Sequence, residues 1–309
     1  MIAMKQLMRM PTASVAASSA RSSSPRGVRW MSALVSADWV ASRKKAQERV
    51  VLLDCDHPVA YMRAHIDGAL PFPLAMTSLK DSTPRHTGVI LLEDFDHAMQ
   101  QLQLPKDATL VLYDNEMSLK ATRAWWVFRH YGFPKEQLKV LDGGWKEWIA
   151  SRGEVASGQP EHLFPTADAF RPKAPKESDV LVGLQTVQEA LFDGETQFID
   201  SRSLGEFTGA NPNGNSRAGR VPGAHHFEWH SAVDGAANDK FRSPEELEAQ
   251  LVQAFGLNKN HRAITYCQRG VRAAHTAFLL EEVLGFDRVQ IYEDSMLEYL
   301  NHHDTDVEV

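Results

Sequence analysis

Only two cysteines, Cys55 and Cys267, occur in the 309 residues. Neither belongs to a CxxC pair, and HExxH and paired Cys/His spacings are missing, which argues against a disulfide framework, a structural zinc site or any resident metal. No apolar run approaches the roughly 18 residues that a membrane span needs, so no membrane segment is expected. A clustered basic tract is missing too. Lys and Arg total 33 against 40 Asp and Glu, a formal net charge of −7, which speaks against nonspecific nucleic-acid binding because phosphate contacts need grouped cations. Acids are absent from the first stretch, where none precedes Asp38, while Lys5, Arg9, Arg21, Arg26 and Arg29 stand among clustered serines. That composition predicts an organellar presequence over 1–31 and a mitochondrial location; the plainer alternatives are an unstructured tail and a cytoplasmic protein.

What is present has the make-up of a globular protein, 43% hydrophobic and 24% charged, and is long enough for two domains with separate cores. The same order of features occurs twice. An apolar strand ending in Asp opens each half, Val50–Asp54 and Gln197–Asp200, and a Gly-Ala turn follows at Gly68-Ala69 and Gly223-Ala224. A second strand comes later, Thr109–Asp114 against Ala263–Cys267, and leads into a helix with a broad apolar face. Those faces carry Trp125, Trp126, Phe128 and Tyr131 in one half and Ala274, Ala277, Phe278, Leu280 and Leu284 in the other. Gly132 and Gly285 fit left-handed caps, and one more strand follows each. Alternating strands and helices predict an α/β fold, two tandem domains each with a mainly parallel sheet flanked by helices. The predicted boundaries are 32–152 and 180–309, joined by a Pro-rich polar linker at 153–179.

The segment with chemical content is Cys267-Gln268-Arg269-Gly270-Val271-Arg272, between the end of a buried strand and the start of a helix, where α/β sheets bind ligands. Such a loop turns successive N–H groups toward one centre, and the helix adds the positive end of its dipole. The next acid after Cys267 is Glu281, so Arg269 and Arg272 have no neutralising neighbour in sequence. One cation about 5 Å from the sulfur at an effective dielectric of about 20 favours the thiolate by about 3 kcal/mol before screening, or roughly two pKa units. A thiolate held this way can take the outer sulfur of a donor and keep it as a persulfide anion. Cys267 could otherwise be a small buried hydrophobe, but the two arginines and the glycine favour the reactive reading. Cys55, with no cation beside it, is expected to be a buried structural thiol.

On these residues the chain resembles the rhodanese family of sulfurtransferases, which includes thiosulfate and mercaptopyruvate enzymes. Further matches are Asp200-Ser201-Arg202, the turn from Arg217 to Ala224, and Leu141-Asp142-Gly143-Gly144-Trp145 closing the first half. The resemblance implies an active cysteine at the head of the second loop, and a degenerate first domain with Asp114 in the matching place. It also implies Arg217 as an anion ligand, and His65 as either a cleft-lining residue or a hydrogen-bonded turn histidine. The chain departs from the pattern at Asp67, at Glu293-Asp294-Ser295-Met296, and at Glu206, where relatives carry a donor-binding arginine and a carboxylate should repel anionic donors. Gln268 and Arg269 replace the Gly and Ser of mercaptopyruvate enzymes, which favours thiosulfate as donor. Implied partners are a small anionic sulfur donor and an acceptor such as thioredoxin, glutathione, another thiol or cyanide; no cofactor is required and a monomer is expected. Two alternatives stay open: a phosphatase of the same fold, which needs Cys-x5-Arg where this chain has Cys-x4-Arg, and a noncatalytic sulfur-binding or interaction protein.

Overall fold

The structure, a computed structural model, describes residues 33–77, 88–160, 168–175 and 180–309. The expected presequence at 1–31 lies outside them, as do 161–167 and 176–179 of the expected linker. Among the described residues no helix is long and apolar enough to cross a membrane.

In the first half five short strands run parallel: β1 (Leu34–Val35), β2 (Val50–Asp54), β3 (Leu70–Pro71), β4 (Thr109–Tyr113) and β5 (Leu138–Leu141). Their order across the sheet is β1-β5-β4-β2-β3. Helix α1 (Leu119–His130) connects β4 to β5. The second half repeats this with β6 (Leu181–Val182), β7 (Gln197–Asp200), β8 (His225–His226), β9 (Arg262–Tyr266) and β10 (Arg288–Tyr292), ordered β6-β10-β9-β7-β8. Helix α2 (Val271–Phe278) leaves β9 and runs on into a turn of π-helix at Leu279–Val283. The central strands are continuous apolar runs because both faces of a parallel sheet are covered. The fold is therefore the expected tandem α/β arrangement, one strand order used twice.

The repeat extends to single atoms. Asp54 stands in register with Tyr113, and Asp200 with Tyr266. The Tyr113 hydroxyl accepts from the Ile66 N–H at 3.0 Å, and the Tyr266 hydroxyl accepts from the Val221 N–H at 3.3 Å. Asp114 and Cys267 are each the first residue beyond this tyrosine, so they hold equivalent positions at the carboxyl ends of the central strands.

Each half has an apolar cluster of its own, and the largest cluster spans both. The described residues form one compact unit, in which the largest apolar cluster contains Trp125, Trp126 and Phe128 of α1 together with Ala274, Ala277 and Phe278 of α2, while smaller clusters around Val40 and Trp148 and around Val187 and Tyr299 stay within the first and second half. The apolar faces of these helices are wider than their own sheets can cover, so they bury each other. Trp125 meets Phe278 edge to face at 5.4 Å, and the Trp126 indole N–H donates to the Ala274 carbonyl at 2.9 Å. The stretch 153–179 thus separates the repeats along the chain without dividing the core. Trp126→Ala removes a fully buried indole and should cost about 3–5 kcal/mol. Calorimetry should then show one transition for both halves, moved to lower temperature; two resolved transitions would contradict the shared core.

Candidate active site

Cys267 is buried, with 1% of its surface exposed, at the tip of β9. After it the chain turns through Gly270, whose φ of +76° lies in the left-handed region that glycine adopts without strain, and enters α2. A Cβ at Gly270 would lie 2.9 Å from both the carbonyl oxygen and Oε2 of Glu293, so any larger residue would push this loop off its neighbour. Ser295 fastens the loop from behind. Its hydroxyl accepts from the N–H groups of Cys267 and Gly270, both at 3.2 Å, and donates to the Tyr292 carbonyl at 2.7 Å. The Met296 N–H donates to the Cys267 carbonyl at 3.0 Å. The Arg269 N–H points back at the Cys267 Sγ, 3.4 Å away. Gly270, as the N-cap, has no side chain to satisfy the first-turn N–H groups of α2.

The equivalent loop of the first half shows what this geometry holds. There the Asp114 carboxylate is fully buried and accepts four backbone N–H groups: Glu116 at 2.7 Å and Ser118 at 3.0 Å on Oδ1, Lys120 and Ala121 each at 2.8 Å on Oδ2. Burial pushes its pKa up to about 6, and the N–H donors oppose the shift, leaving an anion at neutral pH. The strand-to-helix loop is thus an anion cradle, and the first copy fills it with its own side chain.

The family comparison follows the same duplication. The rhodanese-like domain matches twice, at residues 36–151 and 184–302. The chain belongs to the rhodanese family. A Mycolicibacterium smegmatis protein named "Putative thiosulfate sulfurtransferase" is 30% identical to this rhodanese over 273 residues, 86% of this chain and 94% of the relative. The thiosulfate sulfurtransferase of Corynebacterium glutamicum is 29% identical over 275 residues, 87% of each chain. Among solved structures, the anaerobic ergothioneine biosynthesis enzyme from Chlorobium limicola has a TM-score of 0.76 at 20% identity, over 89% of this chain and 70% of its own; at that identity the likeness is one of fold. Two rhodanese-like domains and sulfurtransferase relatives support sulfur transfer as the general chemistry.

Within this rhodanese the six loop residues Cys267, Gln268, Arg269, Gly270, Val271 and Arg272 lie together, but their side chains are employed differently. Arg269 is exposed and makes no ion pair among the described residues. Arg272 is engaged: its guanidinium grips Glu206 with both nitrogens, at 2.8 and 2.9 Å. Burial works against the charge of Arg272, but Glu206 and, in smaller part, Cys267 outweigh it and raise its pKa. The expectation that Glu206 repels donors is corrected accordingly, because its carboxylate is already matched by Arg272 and also accepts from Ser203 and Asn213. Gln268 is turned away from solvent and exchanges two amide hydrogen bonds with Asn215, at 2.9 and 3.1 Å.

Two residues assigned by resemblance sit elsewhere. The Arg217 guanidinium is spent on the carbonyls of Leu300 at 3.2 Å, Thr305 at 2.7 Å and Tyr299 at 2.9 Å, and also on His302. It pins the C-terminal segment and is not an open anion ligand. His65 is 3% exposed, its Nδ1 is 2.9 Å from the Tyr61 carbonyl, and its ring stacks on Tyr61 at 3.9 Å, so the turn-histidine reading is the one the structure shows. Cys55 is buried, and its thiol is pushed well up by burial and then by Asp114, Asp54 and Asp56, as suits an inert thiol. Among the described residues no cluster of His, Cys, Asp or Glu could hold a metal ion. The sequence marks Ser295 only as part of the departing Glu293-Asp294-Ser295-Met296 turn; its place opposite Gly144 in the repeat was the signal for its role behind the loop.

Two outcomes follow from this geometry. Gly270→Ala should cost about 1–3 kcal/mol and slow alkylation of Cys267, read by urea titration and by mass-mapped iodoacetamide labelling. For Glu206, burial alone would raise the pKa, but the Arg272 fork and Ser203 bring it from 4.5 to about 2. A depressed carboxylate stabilises the fold fully above the unfolded value of 4.5 and loses that contribution as pH falls toward about 2. Glu206→Gln should therefore flatten the fall in stability across that window, and an unchanged slope would show that the pair carries no linkage.

Proposed function

We propose that this rhodanese transfers sulfane sulfur from thiosulfate to a thiol or to cyanide, with Cys267 as the carrier. The supporting observation is the buried Asp114 carboxylate in the first-half loop, with four N–H groups on its two oxygens. Those oxygens stand two bonds from Cβ, as the outer sulfur of a cysteine persulfide does. At Cys267 the matching cradle carries a residue that can gain and lose that outer atom.

In the first step the Cys267 thiolate attacks the outer sulfur of thiosulfate. A new S–S bond forms, the old one breaks, and sulfite leaves with its electron pair. The terminal persulfide sulfur then bears the negative charge, facing loop N–H groups and Arg272. In the second step an acceptor anion, from cyanide, glutathione, thioredoxin or another thiol, attacks that terminal sulfur and the thiolate of Cys267 departs. No electrons enter from outside. Arg269, exposed and without an ion pair among the described residues, is suited to the sulfonate end of the donor. The phosphatase alternative fares worse, since position 273, where its arginine would stand, is a fully buried alanine.

The test is thiocyanate formation from thiosulfate and cyanide. Cys267→Ser should abolish it, by at least about a thousandfold, together with the one-sulfur mass gain of donor-treated protein. Arg269→Gly should raise the thiosulfate KM roughly fivefold with a smaller change in kcat. Faster turnover of mercaptopyruvate than of thiosulfate would overturn the choice of donor, and turnover of a phosphomonoester would overturn the reaction class.

A further inference from the structure

Behind the sulfur loop lies a charged pair that joins the two halves. Arg123 projects from α1 of the first half and is 1% exposed; Glu293, just beyond β10 of the second, is 7% exposed. The guanidinium takes both carboxylate oxygens, Nη1 donating to Oε2 at 2.7 Å and Nη2 to Oε1, and Nη2 also reaches the Thr77 carbonyl at 3.4 Å. Arg123 Nε has no hydrogen-bond partner among the described residues. Glu293 in turn lies against Gly270, close enough that both its carbonyl and its carboxylate would obstruct a Cβ there.

A buried carboxylate beside the loop would by itself oppose an anion at Cys267, so its neutralisation bears on the chemistry. We propose that Arg123, supplied by the first half, is a positioning residue for sulfur transfer: it holds Glu293 against Gly270 and cancels its charge, so the field at Cys267 stays positive. The proposal deepens the reading of Cys267 as sulfur carrier and rests on it for its relevance to turnover. It also gives the degenerate half a part in the site, because the guanidinium on Glu293 comes from α1.

The surrounding charges are accounted for. Burial works against Arg123, but Glu293 and then Cys267 hold its charge in place. Arg272, paired with Glu206, is the other cation in electrostatic contact with Cys267, and Arg269 flanks it at the surface. His130 is kept neutral, pushed down to about 4 by burial and by Arg123, and Tyr131 is pushed up to about 12, mainly by burial. Neither changes charge near neutrality.

The experiment measures the pH profile of Cys267 alkylation by mass-mapped iodoacetamide labelling in the full chain. Arg123→Met leaves Glu293 uncompensated and should move the midpoint up by about one pH unit, with kcat for thiocyanate formation down roughly tenfold and the thiosulfate KM changed less than about twofold. Glu293→Gln leaves Arg123 uncompensated and should move the midpoint down. Arg123→Lys, which keeps the charge, should return it most of the way to the parent value. Shifts of opposite sign are what a merely structural pair would not produce. Shifts in one direction, unchanged midpoints, or Arg123→Lys behaving like Arg123→Met would each overturn the proposal. If Arg123→Met does not fold, the sign of the Glu293→Gln shift decides alone. Alkylation needs no sulfur donor, so opposite shifts without thiocyanate formation would sink the proposed function and leave the electrostatic role of Arg123 standing.

Discussion

An anion held by backbone N–H groups, at the point where a parallel strand gives way to a helix, is the constraint on which the site depends. Four such groups converge on Asp114 in one copy, and the equivalent turn, one residue shorter, places Cys267 at the head of the other. Backbone donors fixed by the fold need no reorganisation when charge arrives, and in a buried loop their interaction with an anion is stronger than in water. Most other features of the site serve this loop: Gly270 allows its curvature, and Ser295 fixes two of its N–H groups from behind.

The two halves have the same scaffold and opposite fates for its central position. In the first, a carboxylate fills the cradle, and the space just beyond β5 is closed by Gly144, where a Cβ would sit 2.1 Å from the Asp114 carbonyl. In the second, Ser295 stands at that place with a φ of +51°, and its hydroxyl binds the loop. The duplicated scaffold thus places a carboxylate in one loop and a thiol at the head of the other. The shared apolar cluster of α1 and α2 keeps the two in fixed relation, and the buried Arg123–Glu293 pair crosses the same contact.

Charge is arranged around the loop in pairs that leave one side open. Arg272 is matched by Glu206 and Arg123 by Glu293, so neither guanidinium is a free ligand. Arg269 alone of the three makes no ion pair among the described residues and faces solvent. The partition leaves two guanidinium groups committed inside the protein and one available at its surface.

Much was legible in the sequence because it was local. Strands such as Val50–Asp54 and Arg262–Tyr266 are short apolar runs that only a covered sheet accepts, Gly132 and Gly285 end their helices with φ of +85° and +72°, and the loop from Cys267 to Arg272 is contiguous. Repetition added the duplicated order of elements along the chain and set Asp114 opposite Cys267. What the sequence alone could not decide were contacts between residues far apart in the chain. Glu206 looked repulsive until the fold brought Arg272 onto it, Arg217 looked like an anion ligand until its guanidinium met the carbonyls of Tyr299, Leu300 and Thr305, and the link from Arg123 to Glu293 spans both halves. The physical reason is that local backbone preference depends on near neighbours, whereas the charge state and availability of a side chain depend on whatever group packing places beside it.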